Sequence, residues 1–455
     1  MLELQAKNEK NVSRRPAGQF LPLDGERSYA IRDVDLLPPF FMSIISSADH
    51  WLFVSSTGGL TAGRNSPETA LFPYVPVDQI HGSTTHTGCK TIIRVNSNRQ
   101  QLLWEPFNKA HDDRFDVSRN LYKTIAGDKL CFEEINHDLQ LAFRYTWMTS
   151  DEFGFSRQCE MKNLGDRRVR LELLDGLQNI LPAGTPQATQ AAASNLVDAY
   201  KWSELDQATG LAIYSLYSAI SDRAEPAESL RANTVFCIGL EQPTILLSAA
   251  QLDAFRTGLP LTAEAHRRGV RGVYFVNASL ELGPKGNTQW RLVANVEQSQ
   301  ASVVALRRNL GDPEDVQAQL NDSIARGSRE LAQIMAATDA LQLTAEENVV
   351  AHHYANVLFN NLRGGIIDDQ GHITTQDFAR SVRHFNRRVF AAHQPFLEQL
   401  PDRIDFGSLL TAVLEQGDPD LERLCYEYLP VRFGRRHGDP SRPWNRFSIL
   451  SLIHI

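Results

Sequence analysis

The chain lacks any pair of cysteines at CxxC spacing. Its five cysteines, Cys89, Cys131, Cys159, Cys237 and Cys425, are scattered and odd in number, which argues against a zinc ribbon and a disulfide framework and for reduced thiols in a cytoplasmic protein. No HExxH or other Cys/His ligand spacing occurs, so no metal site is expected. No stretch approaches the roughly 18 uncharged apolar residues that span a bilayer. The opening residues, MLELQAKNEKNVSRRPAGQF, have no apolar core of the signal-peptide kind. A basic excess is also missing: the formal net charge is -8, which speaks against a nucleic-acid partner. These absences leave a cytoplasmic protein with neither a membrane nor a nucleic acid to bind.

At 455 residues the chain exceeds the size at which one hydrophobic core stops growing, about 250–300 residues, so more than one domain is expected. Two regimes are visible. From about residue 25 to 300 the apolar pattern has period two, broken by Gly, Asn and Pro turns. WLFVSS, KTIIRVN, QQLLWEP, CFEEIN, LQLAFRYTWM, RVRLELLDGL, GVYFVNASLEL and QWRLVANVE each read as strands. FSRQCEMKNLGDRRVRLELLDG predicts a hairpin that turns at Asn163–Asp166. So many strands with little helix point to a large antiparallel sandwich.

The texture changes after ASVVALRRNL. Asp312 is a plausible N-cap with Pro313 at the first helical position, and Val316, Leu320, Ile324, Leu331 and Met335 follow at helical spacing. Thr344 and Glu347 stand in capping-box register before the stripe Val350, Tyr354, Val357, Leu358, and Gly364–Gly365 stop that helix. TTQDFARSVRHFNRRVFAAHQPFLEQL, SLLTAVLE and DPDLERLCYEYL predict further helices. The C-terminal third reads as all-α.

This order, together with SSTGGLTAGR and ALFPY, FGFSRQCEMKNLGDRRVRLELLDGLQNILP, HHYANVLFNNLRGGI and RRHGDPSRPWNRFSI, resembles the glycoside phosphorylases of the cellobiose and chitobiose phosphorylase type, in a cellobiose phosphorylase-like branch. The resemblance implies a multidomain β-then-α fold: an N-terminal antiparallel β super-sandwich, linker helices and the start of a truncated (α/α)6 barrel of the six-hairpin glycosidase kind. The expected divisions are an N-terminal arm at 1–24, the super-sandwich at 25–300, linker helices at 301–343 and an incomplete barrel at 344–449. Residues 450–455, LSLIHI, are what a transposase adapter used in short-read library preparation encodes, so they read as an artefact on a truncated frame. The implied activity is inverting phosphorolysis of β-linked gluco-oligosaccharides, with inorganic phosphate as co-substrate and no other cofactor, the chain itself being an inactive N-terminal portion. Hydrolysis or transglycosylation on the same scaffold, and a carbohydrate-binding or scaffold role, stay open. The partner implied is an oligosaccharide substrate; a homodimer follows from the related sandwiches, which help form dimers. The family's catalytic acid matches no residue of this chain.

Individual motifs weigh as follows. HGSTTHTGCKT has five residues between Gly82 and Gly88, with Cys89 before Lys90 and a strand after; a phosphate loop needs four, then Gly-Lys and a helix. In STGGLTAGR the glycines read as hairpin chemistry; the functional alternative offers Arg64 to a sugar or phosphate. His352 and His353 are adjacent and about 100° apart on a helix, so they cannot share a metal; one faces the core and the other water. Asp368 and Asp369 read as a solvated turn, or as acids at a substrate cleft. VRFGRRHGDPSRPWNRF is the densest candidate: Arg432, Arg435, Arg436, Arg442, Arg446 and His437 gather positive charge, Asp439 adds a carboxylate and Trp444 an aromatic face. Such a loop suits phosphate and sugar binding, and the plain alternative is a solvated basic loop with Trp444 packed inward.

Overall fold

The computed structural model describes residues 14–97, 100–190, 195–218, 230–337, 346–362, 365–367, 372–428 and 431–433. The chain divides into two compact units, 1–325 and 326–455.

The first unit is built from β1 (Ala17–Leu23), β2 (Glu26–Arg32), β3 (Phe41–Ile44), β4 (His50–Ser55), β5 (Leu60–Arg64), β6 (Ala70–Phe72), β7 (Gly88–Ser97), β8 (Gln100–Trp104), β9 (Val117–Thr124), β10 (Leu130–Asn136), β11 (Leu141–Ser150), β12 (Gly154–Asn163), β13 (Val169–Ile180), β14 (Lys201–Asp206), β15 (Leu211–Leu216), β16 (Arg231–Ile238), β17 (Thr244–Leu246), β18 (His266–Arg268), β19 (Gly272–Leu282) and β20 (Asn287–Ser299). Short helices α1 (Val77–Ile80), α2 (Gln187–Gln190), α3 (Asn195–Ala199) and α4 (Leu252–Thr257) interrupt them. Eleven strands form one sheet in the order β1-β2-β9-β10-β11-β12-β20-β16-β15-β14-β18; β17-β19-β13-β7-β8 form a second, and β3-β4-β5-β6 a third. The pairings are antiparallel, as the sandwich reading requires.

One core lies between these sheets. Alternate residues point into it: Leu141, Phe143, Tyr145 and Trp147 from β11, Phe155, Cys159 and Met161 from β12, Leu171, Leu173 and Leu177 from β13, and Trp290, Leu292 and Ala294 from β20. The period-two signal is therefore inward-outward alternation. Two outer faces are covered as well. Leu174, Leu246, Val273 and Phe275 sit under Phe255 of α4, which is why LELL in β13 is apolar without alternation.

β12 and β13 are not a hairpin: β12 pairs with β11 and β20 in the large sheet, whereas β13 pairs with β7 and β19 in the five-stranded sheet. The turn after Asn163 carries the chain across the core from one sheet to the other. A short turn between two strands is compatible with either connection, because the alternation fixes which side chains point inward but not which backbone edges meet. The N-terminal boundary also shifts, since β1 lies within residues 1–24 and pairs along its length with β2.

Helices α5 (Gln300–Asn309) and α6 (Pro313–Ala337) follow. Asp312 Oδ1 accepts from the Asp315 amide at 3.1 Å, the cap read from the sequence, and Val316, Leu320, Ile324, Leu331 and Met335 are all buried. The first three of these pack with Leu310 over Met148, Phe236, Ile238 and Val293, the outward face of the large sheet.

The second unit contains α7 (Glu347–Leu362), β21 (Gly365–Ile367), β22 (His372–Thr374), α8 (Thr375–Phe385), α9 (Arg387–Gln399), β23 (Arg403–Asp405), α10 (Phe406–Leu414), α11 (Pro419–Glu427) and β24 (Val431–Phe433). β21 pairs with β24 and β22 with β23. The single long helix expected from TTQDF to LEQL is two: Asn386 leaves helical geometry and its side chain accepts from the Arg388 and Val389 amides, capping α9. Val349, Ile373, Phe378, Val382, Val389, Leu397, Leu409, Leu410, Val413, Leu421 and Cys425 make this unit's core. The described helices are fewer than an (α/α)6 barrel requires, so the barrel belongs to the proposal below. Among the described residues no helix is long and apolar enough to cross a membrane.

Candidate functional site

The SSTGGLTAGR segment is the β4–β5 hairpin, and its two ends do different things. Gly58 has a positive φ of 90°, and a Cβ on Gly59 would stand 2.1 Å from the Ile80 carbonyl oxygen. Only glycine lets this turn close onto residues 80–84. The contact gathers polar groups that lie far apart in sequence. Ser55 Oγ is 2.7 Å from His81 Nδ1 and 2.7 Å from Thr57 Oγ1, and it accepts from the Thr57 amide at 3.1 Å; Thr57 Oγ1 is 3.3 Å from Thr84 Oγ1. A Ser55 that donates its single proton to Nδ1 fixes His81 as the tautomer with N–H on Nε2. HGSTTHTG is thus a polar turn packed on the glycine hairpin, and strand β7 follows it, as the rejection of a phosphate loop required.

Arg64 sits at the other end and is only 19 % exposed at its side chain. Its Nε donates to Asp49 Oδ1 at 2.6 Å, Nη1 to the Asp151 carbonyl at 2.9 Å and Nη2 to Asp151 Oδ1 at 3.1 Å. The guanidinium joins the four-stranded sheet to the β11–β12 turn, so most of its donor capacity is already engaged. Cross-strand from it, His50 has its pKa pushed down to about 4, by burial first and by Arg64 second, and stays neutral in the physiological range.

Among the described residues, the most buried ionic group is one that no motif of the sequence marks. Arg157 of β12 and Asp175 of β13 face each other across the sheets, both fully buried. Arg157 Nη1 donates to both Asp175 oxygens at 2.9 Å. Asp175 also accepts from Thr91 Oγ1 at 2.6 Å and Trp290 Nε1 at 2.7 Å. The Arg157 guanidinium lies 4.5 Å over the Tyr145 ring. The signal was present: both residues occupy inward positions of apolar alternation, where an unpaired charge could not stand. The pair is a closed structural network with no open side for a substrate.

In the second unit His353 is buried and its Nδ1 is 3.2 Å from the Tyr426 carbonyl, while His352 is about one-third exposed, 4.0 Å from Glu427. The adjacent histidines divide between core and surface as their 100° spacing requires. Among the described residues no group of His, Cys, Asp and Glu is placed to hold a metal. Arg435, Arg436, His437, Asp439, Arg442 and Trp444 lie outside the described residues, as do Arg446, Asp368, Asp369 and Thr344. Of the proposed contacts, Arg64 has a described side chain, and Arg432 of the basic segment is placed by its backbone, in β24 opposite Ile366.

Residues 367–430 match the family model of glycoside hydrolase family 149 insertion domain 1. The match bears out the resemblance to glycoside phosphorylase-like proteins, and it covers the described helices α8 to α11. No curated protein matches the chain. Among solved structures, a bacterial glucoamylase complexed with acarbose is 10 % identical with a TM-score of 0.39, over 84 % of this chain and 52 % of that one. A provisionally assigned kojibiose phosphorylase from the human microbiome is 8 % identical with a TM-score of 0.34, over 63 % and 35 %. The 4-alpha-glucanotransferase from Thermococcus litoralis is 9 % identical with a TM-score of 0.23, over 62 % and 40 %. The chain spans about half the length of the glucoamylase and about a third of the kojibiose phosphorylase. At such TM-scores these likenesses carry no argument about chemistry.

Proposed function

We propose that the chain belongs to an inverting glycoside phosphorylase acting on β-linked gluco-oligosaccharides. The observation that carries the reading is the family 149 insertion domain at residues 367–430, downstream of an antiparallel sandwich of the kind the sequence resemblance implies. In such a reaction a carboxylic acid protonates the glycosidic oxygen while phosphate attacks the anomeric carbon from the opposite face, in place of a base-activated water. Phosphate then needs cations and hydrogen-bond donors, and the sugar an apolar face. Arg435, Arg436, His437, Asp439, Arg442 and Trp444 are the proposed contacts. Arg64 is the proposed contribution of the β4–β5 hairpin, at most through its unengaged N–H groups. No residue is assigned as the general acid. The (α/α)6 barrel and a homodimer belong to the same proposal.

The test is 31P NMR, with a parallel reducing-sugar assay, of the whole enzyme of which this chain is read as the N-terminal portion, incubated with β-1,4- and β-1,3-linked gluco-oligosaccharides and inorganic phosphate; this chain alone, read as inactive, should give no product. An α-configured sugar 1-phosphate that forms only with phosphate present is the expected product. Free sugar released at the same rate without phosphate would overturn phosphorolysis in favour of hydrolysis.

A further inference from the structure

The second unit carries an exposed strip of arginines outside the proposed site. Between Asp377 and Glu398 the chain has no acidic residue, yet it holds Arg380, Arg383, Arg387 and Arg388, with His384 among them, in a protein of net charge -8; His393, further along α9, is largely buried and its Nε2 is 2.7 Å from Asp418 Oδ2. The strip follows the α8–α9 junction. Arg380, Arg383, His384, Arg387 and Arg388 are all exposed, and Phe385 between them is 49 % exposed, among the most exposed large apolar residues of the described chain.

Its charges are only partly compensated. Arg388 Nη2 is 2.9 Å from Asp420, and Arg380 is 3.9 Å from Asp377. Arg383 lies 5.6 Å over the Phe390 ring, a contact that uses the guanidinium face and leaves its N–H edge open. Among the described residues neither Arg383 nor Arg387 has a carboxylate in ion-pair range. Helix electrostatics account for only part of the strip. Arg383 ends α8, where a cation is favoured, but Arg387 and Arg388 open α9, where the helix dipole opposes them. Local stability alone would place acids there.

We propose that the α8–α9 junction is a binding site for a phosphoryl group, with Arg383 and Arg387 as its principal donors and Phe385 as an apolar face beside it. Guanidinium N–H edges fit phosphate oxygens in bidentate fashion. A ring flanked by such cations suits a phosphorylated sugar, so the source is inorganic phosphate or a sugar phosphate. The sugar-phosphate arm rests on the phosphorylase reading; the phosphate arm does not.

The experiment is isothermal titration of the full chain at constant ionic strength with inorganic phosphate, glucose 1-phosphate, acetate and poly-glutamate. It compares wild type with R383Q/R387Q, R388Q and F385A, each checked for an unchanged circular dichroism spectrum and melting midpoint. Phosphate should bind and acetate should not. R383Q/R387Q should weaken phosphate by about tenfold or more, the loss of two charge-assisted bonds, and R388Q by much less, its guanidinium being already paired. F385A should weaken glucose 1-phosphate selectively if the sugar phosphate is the true ligand, and should leave both ligands unchanged if the site serves inorganic phosphate. Phosphate affinity unmoved by R383Q/R387Q, equal binding of acetate, or binding of poly-glutamate alone would overturn the proposal. Failure of the phosphorolysis assay with phosphate binding intact would count against the proposed function and not against this site.

Discussion

Replacing Asp175 by alanine tests the arrangement of the sandwich more directly than any surface change. The carboxylate accepts from Arg157, Thr91 and Trp290 with both oxygens engaged, at a point with no solvent access. Its removal strands a guanidinium inside the core, and breaking a buried pair in this way costs about 3–5 kcal/mol. Against a total stability of roughly 5–15 kcal/mol, that is a large fraction. D175A should therefore lower the urea midpoint of the first unit sharply, read by tryptophan fluorescence, since Trp290 donates to the lost group. R157M alone, which strands the carboxylate, should cost a similar amount. R157M/D175L replaces both charges by apolar groups and should recover only part of that loss: it removes the stranded charge but leaves the Thr91 hydroxyl and the Trp290 indole N–H, which donate to Asp175, without their acceptor, at about 1–3 kcal/mol each. A D175A loss under about 1 kcal/mol would refute the reasoning. It would mean that the Arg157–Asp175 pair is not held out of water as its burial implies.

Three further outcomes follow from the geometry. Burial holds His353 neutral with its pKa down to about 4 against the usual 6.5; the unfolded chain then binds the extra proton between these values, so stability of the second unit is full above pH 6.5 and falls by up to about 3 kcal/mol as pH drops towards 4. Thermal melts across pH 4–7 should show this slope, and H353L should flatten it. G59A forces a Cβ against the Ile80 carbonyl and should cost about 2–3 kcal/mol by thermal denaturation, whereas the solvent-facing G269A, with open space around it but a positive φ of 68°, should cost about 1 kcal/mol from backbone strain alone. R64A frees Asp49 and Asp151 and should lower the melting midpoint by a few degrees, on the order of 1 kcal/mol. If Arg64 also contacts a ligand, calorimetry with an oligosaccharide will show an affinity loss beyond that structural effect.

The sequence by itself determined the two regimes of the chain, because side-chain periodicity is a local property: period two sends Leu171, Leu173 and Leu177 inward from β13, and the helical stripe from Val316 to Met335 is buried as its spacing requires. Caps were equally legible, since Asp312 reaches an amide three residues away. The break at Asn386 was less so: asparagine is tolerated within a helix, and only the packing of Phe378 and Val382 with Val389 in one core selects the capped turn over a continuous helix. What joins distant segments was left to tertiary structure. Ser55 meets His81, and Arg157 meets Asp175, through strand pairings and a sheet crossing that no local pattern encodes, because alternation is indifferent to which edge a strand finds. The same holds for the engagement of Arg64 by Asp49 and Asp151: its motif was visible in the sequence, and its partners, one of them 87 residues away, were set by the sheets that bring them together.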